Sequence, residues 1–280
     1  MSDNNLKGKI RLSATITSDI STTSPVILGG DPADSISILS DLGYDGVELH
    51  WGNPSQIDFN KIIESCDQHN IAISALATGR AYVEEGLSLI DDNESKRQSA
   101  IKRLLDFVDA ASPFQSTVII GCIRGNLTSS QKYEDFLNRL AESTVIVSEY
   151  AETKNVQIVF EAINRYENNY LNNATETLDF VNKFSLPNTK ILLDTFHMNI
   201  EDANMSEAIE NCGRMLGYMH FADSNRYYVG GGHINFSQIA TALRNINYNG
   251  FISAECLPLP DSNTAIRKWI EGIKTAFQTI

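Results

Sequence analysis

Short runs of consecutive apolar residues alternate, from residue 10 to the end of the chain, with longer stretches of mixed polarity. The runs are IRLSATI (10–16), GVELH (46–50), IAISALAT (71–78), STVIIGCI (116–123), VQIVFEAI (156–163), KILLDTF (190–196), LGYMHFA (216–222) and FISAEC (251–256). Near-continuous Val, Ile and Leu predict strands buried on both faces, as in a parallel sheet covered by helices. Between them, DFNKIIESCDQHN (58–70), KRQSAIKRLLDFVDAA (96–111), YEDFLNRLAESTVIVSEYAE (133–152) and TETLDFVNKF (175–184) carry helical periodicity, and TAIRKWIEGIKTAFQ (264–278) closes the series. Strict alternation of eight strands with about eight helices predicts an α/β fold, a (β/α)8 TIM barrel, as one domain over residues 1–280. An open doubly wound sheet is the runner-up, but no GxGxxG turn follows the first strand.

Composition narrows the function. The chain has 22 Lys and Arg against 35 Asp and Glu, a net charge of −13. A nucleic-acid backbone is therefore an unsuitable partner, since phosphate contacts need clustered cations. A small anionic substrate stays open, because one or two arginines suffice for it. The first ten residues lack the apolar segment of a signal peptide, and no apolar run is long enough to span a bilayer, so a cytoplasmic protein without a membrane partner is expected. Cys66, Cys122, Cys212 and Cys256 lie far apart with no CxxC pair, as expected of reduced, buried thiols.

In a barrel of this kind, chemistry sits at the C-terminal ends of the strands. Four consecutive predicted strands end in a metal-competent side chain: Glu161, Asp194, His220 and Glu255. Acids converging on one buried rim repel one another and need a cation between them. A set of three carboxylates and one imidazole without a thiolate suits Mn²⁺, with Mg²⁺, Co²⁺ or Zn²⁺ as other occupants. Singly, each of these residues would more readily be a helix cap, a loop salt bridge or a core histidine; four on neighbouring strands outweigh that reading. The other strand ends are less specific. Glu48 and His50 divide evenly between structure and site. Arg124 is a candidate for an anion or a barrel acid, Arg80 and Tyr82 for a pocket wall, and Trp51 for packing or a sugar platform.

The stretches EAINRYENNYLN (161–172), LLDTFHMNIE (192–201), HFADSNR (220–226) and the terminal Ala254-Glu255 resemble the xylose-isomerase-like sugar isomerases and epimerases, nearest the D-tagatose/D-allulose (psicose) 3-epimerase branch. The resemblance runs from the first strand to the last helix. It implies that Glu161, Asp194, His220 and Glu255 bind the metal, with Glu161 and Glu255 also serving as the acid/base pair. It further implies that Glu167 binds the C1–C2 end of a ketose and that His197 and Arg226 hold the oxygens around C2 and C3. The partner would be a sugar or sugar phosphate, and the assembly a homodimer or homotetramer. Phe221, Ala222 and Asp223 stand where that branch carries Gly-Glu after the histidine, which bears on substrate identity more than on the metal.

The expected activity is C3 epimerisation of a ketose by proton abstraction and return through a cis-enediolate at the metal, since inversion needs a carboxylate on each face. Aldose–ketose isomerisation, hydroxypyruvate isomerisation and an inosose dehydratase-like elimination are the alternatives on the same residues. A non-catalytic sugar-binding barrel is the distant one. Within YYVGGGHINF (227–236), Gly230, Gly231 and Gly232 are expected to act as a hinge under a Tyr227–Tyr228 lid. Asp223 is expected to orient Arg226 or His220, and His233 to hold the loop.

Overall fold

In a computed structural model, which describes residues 10–128 and 132–278, eight parallel strands close into a barrel. The strands are β1 (Arg11–Thr17), β3 (Gly46–His50), β4 (Ala72–Ala77), β5 (Thr117–Ile120), β6 (Ile158–Glu161), β7 (Thr189–Asp194), β8 (Leu216–Phe221) and β9 (Phe251–Ala254). β2 (Leu28–Gly29) is a two-residue strand that pairs with β1 outside the ring, Ile16 opposite Leu28. Closure is made by β1 and β9, with Arg11 to Ala14 opposite Phe251 to Ala254.

Strand parity decides which side chains face the axis. Ala75, Ala77, Ile119, Val159, Leu192, Tyr218 and Phe251 form a separate apolar cluster, whereas their sequence neighbours Leu76, Val118, Ile158, Phe160, Ile191, Leu193, Met219 and Ile252 pack under the helices. The first group plugs the barrel. Two residues beyond each of Val159, Leu192 and Tyr218 come Glu161, Asp194 and His220, one layer higher on the same face. Glu255 lies in phase with Phe251 and Ser253, and Glu48 and His50 face inward because Val47 and Leu49 face out.

The alternation is less regular than the sequence pattern suggests. Two helices follow β4 (Gly79–Glu85 and Glu94–Ala111) and two follow β7 (Thr195–Glu201 and Met205–Cys212). Several strands also stop before their apolar runs do. STVIIGCI ends as a strand at Ile120, because Gly121 leaves the extended region and a 3-10 turn, Cys122–Arg124, begins. KILLDTF ends at Asp194, whose carboxylate caps the next helix by accepting the Phe196 N–H at 2.8 Å. Burial in the strand-to-helix loops looks the same in sequence as burial in a strand.

All four cysteines are free, with Cys66, Cys212 and Cys256 buried and Cys122 half-buried. No helix among the described residues is long and apolar enough to cross a membrane.

Candidate metal centre

Glu161, Asp194, His220 and Glu255 each bring one ligand atom to within 4.8 Å of all the others, and all four side chains are buried. His220 Nδ1 lies 3.7 Å from Glu161 Oε1 and 3.4 Å from Glu255 Oε2. Two atoms of the cluster, His220 Nδ1 and Asp194 Oδ2, are buried without a hydrogen-bond partner. Orphaned polar atoms of this kind are rare in a folded protein. Here both belong to one cluster of ligand atoms, and a divalent cation would satisfy both.

Asp194 divides its work between its oxygens. Oδ1 caps the helix Thr195–Glu201, while Oδ2 stays free for the centre. The charge balance points the same way. Burial, reinforced by the nearby Glu255, pushes Glu161 and Asp194 above the usual carboxylate range. Glu255 is driven down to about 2, since His220 and Arg226 outweigh the effect of its burial. Burial opposes a charge on His220, but Glu48 and Glu255 hold its imidazole well above the usual range. Opposed shifts among touching groups express a crowding of negative charge that a cation relieves.

Around this cluster lies a second set of groups. Arg226 donates from Nη1 to Glu167 Oε1 at 2.6 Å and from Nη2 to Glu255 Oε2 at 3.4 Å, with its guanidinium 4.7 Å above the Phe196 ring. Its backbone sits in the left-handed region at φ 61°, a costly place for arginine. The conformation is locked by its own N–H on the Asp223 carbonyl at 2.7 Å and by the Leu257 N–H on its carbonyl at 2.8 Å. His197 Nε2 lies 3.7 Å from Asp194 Oδ2 and 3.8 Å from Glu161 Oε1. Burial, with Arg226 nearby, holds that imidazole well below its usual range and hence neutral. Glu167 is the most exposed of the set and connects to His197 through Asn164, whose amide donates to both Glu167 Oε1 (3.0 Å) and His197 Nδ1 (2.6 Å). With Nδ1 as acceptor, His197 carries its proton on Nε2, facing the centre.

Asn164 was not singled out in the sequence, although it stands inside the motif EAINRYE; a lone asparagine after a strand carries no charge to attract notice. Glu48 and His50, left undecided there, lie directly beneath the centre: Glu48 Oε1 is 3.0 Å from His220 Nε2 and 2.7 Å from His50 Nε2. Gly121 is a third contributor. A Cβ there would stand 2.6 Å from Glu161 Oε2. Gly121→Ala is therefore expected to displace a ligand rather than unfold the protein, lowering kcat about 10- to 100-fold with little change in Tm. Kinetics and thermal melting on the same preparation check this.

Other expectations are corrected. Arg124 is wholly buried, and its donors go to main-chain carbonyls rather than to a barrel acid side chain. Its guanidinium donates to the main-chain carbonyls of Glu161, Tyr170 (3.2 Å) and Leu171 (3.4 Å). Asp223 does hold Arg226, but through its main-chain carbonyl, which accepts the Arg226 N–H at 2.7 Å; its carboxylate accepts instead the N–H groups of Ser224 (2.7 Å), Gly230 (2.9 Å) and Ile234 (3.1 Å). The loop after β8 is thus wound around an acidic hub. Gly232 is small because a Cβ would lie 2.4 Å from Asp223 Oδ1, so this glycine serves close packing rather than a hinge. Tyr228 packs against the core. His233 holds the loop as expected, through Ser224 Oγ at 2.8 Å. Arg80 is tied to Thr17, Asp19 and Glu84; Tyr82 does line a cavity, a surface one with Val83 and Asn126; and of the two readings of Trp51 the structure shows core packing.

A cavity of about 700 Å³ opens at the opposite end of the barrel, lined by Ile10, Leu12, Tyr248, Ile273 and Phe277. Its one carboxylate, Asp45, is occupied by the Leu12 N–H at 2.8 Å, so the metal-ligand chemistry lies at the other end.

A family model described as a xylose isomerase-like TIM barrel matches residues 36–276. The L-ribulose 3-epimerase of Methylomonas sp. (strain DH-1) is 31% identical over 220 residues, covering 76% of this chain and 74% of that protein. A ketose 3-epimerase of Arthrobacter globiformis is 30% identical over 225 residues, covering 77% and 74%. Among solved structures, an L-ribulose 3-epimerase superposes with a TM-score of 0.83 at 23% identity, over 96% of this chain and 95% of its own.

Proposed function

The chain belongs to the xylose isomerase-like TIM-barrel family, and from that premise we propose that it is a divalent-metal-dependent epimerase acting at C3 of a ketose. The observation that carries this reading is the buried cluster of Glu161, Asp194, His220 and Glu255 with its two orphaned atoms. A cation held there, Mn²⁺ by the mix of three carboxylates with one imidazole, would supply Lewis-acid stabilisation of a carbonyl and its neighbouring hydroxyl.

The chain's own residues account for the rest. Glu161 and Glu255 are the two groups that exchange a proton with carbon, one removing it and the other returning it on the opposite face. A cation bound between them would keep both carboxylates ionised and so able to accept a proton. His197, neutral and with its proton on Nε2, donates to an oxygen on which charge develops. Arg226, held rigid by Glu167, Glu255 and its own backbone, binds the adjacent oxygen. Glu167, at the open side, accepts from the hydroxyls at the C1–C2 end.

The test is a panel of free ketoses, ketose phosphates and inosose, offered in D₂O to protein stripped by EDTA and then reloaded with Mn²⁺. Stripping is expected to reduce turnover at least about 10³-fold and Mn²⁺ to restore it. Deuterium should enter the product at C3 alone. Turnover indifferent to EDTA, or inversion without deuterium, overturns the proposal.

A further inference from the structure

We propose that Glu48 is a positioning residue that sets the tautomer of two imidazoles together, His220 and His50, and thereby presents His220 Nδ1 to the metal. The proposal rests on the metal-dependent reading above. Glu48 projects from β3 into the barrel axis and is fully buried. Its oxygens are ringed by Tyr218 Oη at 3.0 Å, His50 Nε2 at 2.7 Å, and His220 Nε2 at 3.0 and 3.2 Å. An ionised carboxylate only accepts. Each of these atoms must therefore be a donor: Tyr218 through its hydroxyl, both histidines through Nε2–H.

Further hydroxyls support this arrangement from below. Ser74 Oγ is 2.8 Å from Tyr218 Oη and 2.7 Å from Ser13 Oγ. Ser74 Oγ also lies 3.0 Å from the Val47 carbonyl, which only accepts, so its one proton is divided between Val47 and Tyr218 while Ser13 is placed to donate to Ser74.

The tautomer follows from the acceptor. In the neutral imidazole that a metal ligand must be, Nε2–H is committed to Glu48 and the lone pair falls on Nδ1, the same atom that is buried without a partner beside Glu161 and Glu255. The opposite tautomer would set an Nε2 lone pair against a carboxylate and an N–H against a cation.

Glu48→Gln tests the proposal with little change in shape. A glutamine offers one acceptor oxygen, and its NH₂ group must meet an N–H or O–H that was pointing at the lost oxygen. MnCl₂ is titrated into EDTA-stripped full-length protein, with free Mn²⁺ followed by electron paramagnetic resonance. The variant is expected to bind about 10- to 100-fold more weakly than the wild type. Tyr218→Phe, which leaves the His220 contact in place, should stay within about threefold. Imidazole ¹⁵N shifts of histidine-labelled, MgCl₂-loaded wild type should show His50 and His220 protonated on Nε2. The proposal is overturned if His220 is protonated on Nδ1 in that state, or if Glu48→Gln binds Mn²⁺ as the wild type does. The ¹⁵N spectrum of the wild type decides the matter even if the variant does not fold. A wild type that takes up neither ion overturns the metal reading itself, an outcome separate from an unaltered Glu48→Gln.

Discussion

Glu255→Gln is expected to lower kcat for ketose epimerisation by about 10³-fold at saturating Mn²⁺, the scale of losing a positioned acid/base group. The substitution keeps the side chain's size and one of its oxygens, so it isolates the loss of basicity. Burial raises Glu255, but His220 and Arg226 outweigh it and lower the carboxyl to about 2. A glutamine cannot take a proton from carbon, and it leaves the Arg226 charge less compensated in a buried setting. KM is expected to move far less than kcat, because Arg226, His197 and Glu167 still contact the substrate. Wash-in of solvent deuterium at C3 should fall with kcat. Undiminished turnover would remove Glu255 from the acid/base role and leave it only as a ligand.

Arg124→Met should cost the largest amount of stability of any substitution considered, about 3 kcal/mol. Arg124 is fully buried, and no carboxylate neutralises it; its guanidinium instead donates to three main-chain carbonyls and lies 5.1 Å from the Tyr170 ring and 5.5 Å from the Phe160 ring. Removing the donors takes a partner from the Glu161 and Tyr170 carbonyls at about 1–3 kcal/mol each, while Leu171 keeps the Thr177 hydroxyl at 3.2 Å; relief of the buried charge, whose pKa burial already depresses, offsets part of this. For a chain of this size the result is a fall in Tm of roughly 6–10 °C. Activity should drop as well, since one of the three carbonyls belongs to Glu161 and fixes the height of that ligand. Arg124→Lys should recover little, because a single ammonium cannot span three acceptors. Thermal melting with Mn²⁺ titration on both variants checks the claim; an unchanged Tm for Arg124→Met would show that the carbonyls find other donors.

The barrel was legible because eight doubly buried strands leave eight unbroken apolar runs, and the four clustered residues because each interrupts such a run with a polar, metal-competent group at its end. Glu161, Asp194, His220 and Glu255, which the fold gathers into one buried cluster, were singled out in this way as candidate ligands, and His197, Glu167 and Arg226, which surround it, through the motifs that contain them. Strand ends were less legible: Ile123, Ala162 and Ile163 are buried outside any strand, so hydropathy alone extends β5 and β6 too far. The functions of Arg124, Asp223 and Glu48 could not be read at all. Each makes contacts with residues distant in the chain or with backbone groups whose direction no local pattern encodes.

What the sequence by itself determined is periodicity and chemistry: which segments must be buried on both faces, and which of them end in groups that cannot be buried alone. Those properties are local, set by the spacing of apolar residues and the cost of an unpaired charge. Only the tertiary structure decided how the groups divide their labour. Closing β1 on β9 brings Glu48, from the second barrel strand, under His220, from the seventh, and turns an ambiguous carboxylate into the partner of a ligand. It also turns Arg124 away from the pocket and winds a glycine-rich loop around Asp223. These assignments depend on distances of about 3 Å between residues far apart in sequence, and hydrogen bonding is directional, so they exist only once the ring has closed.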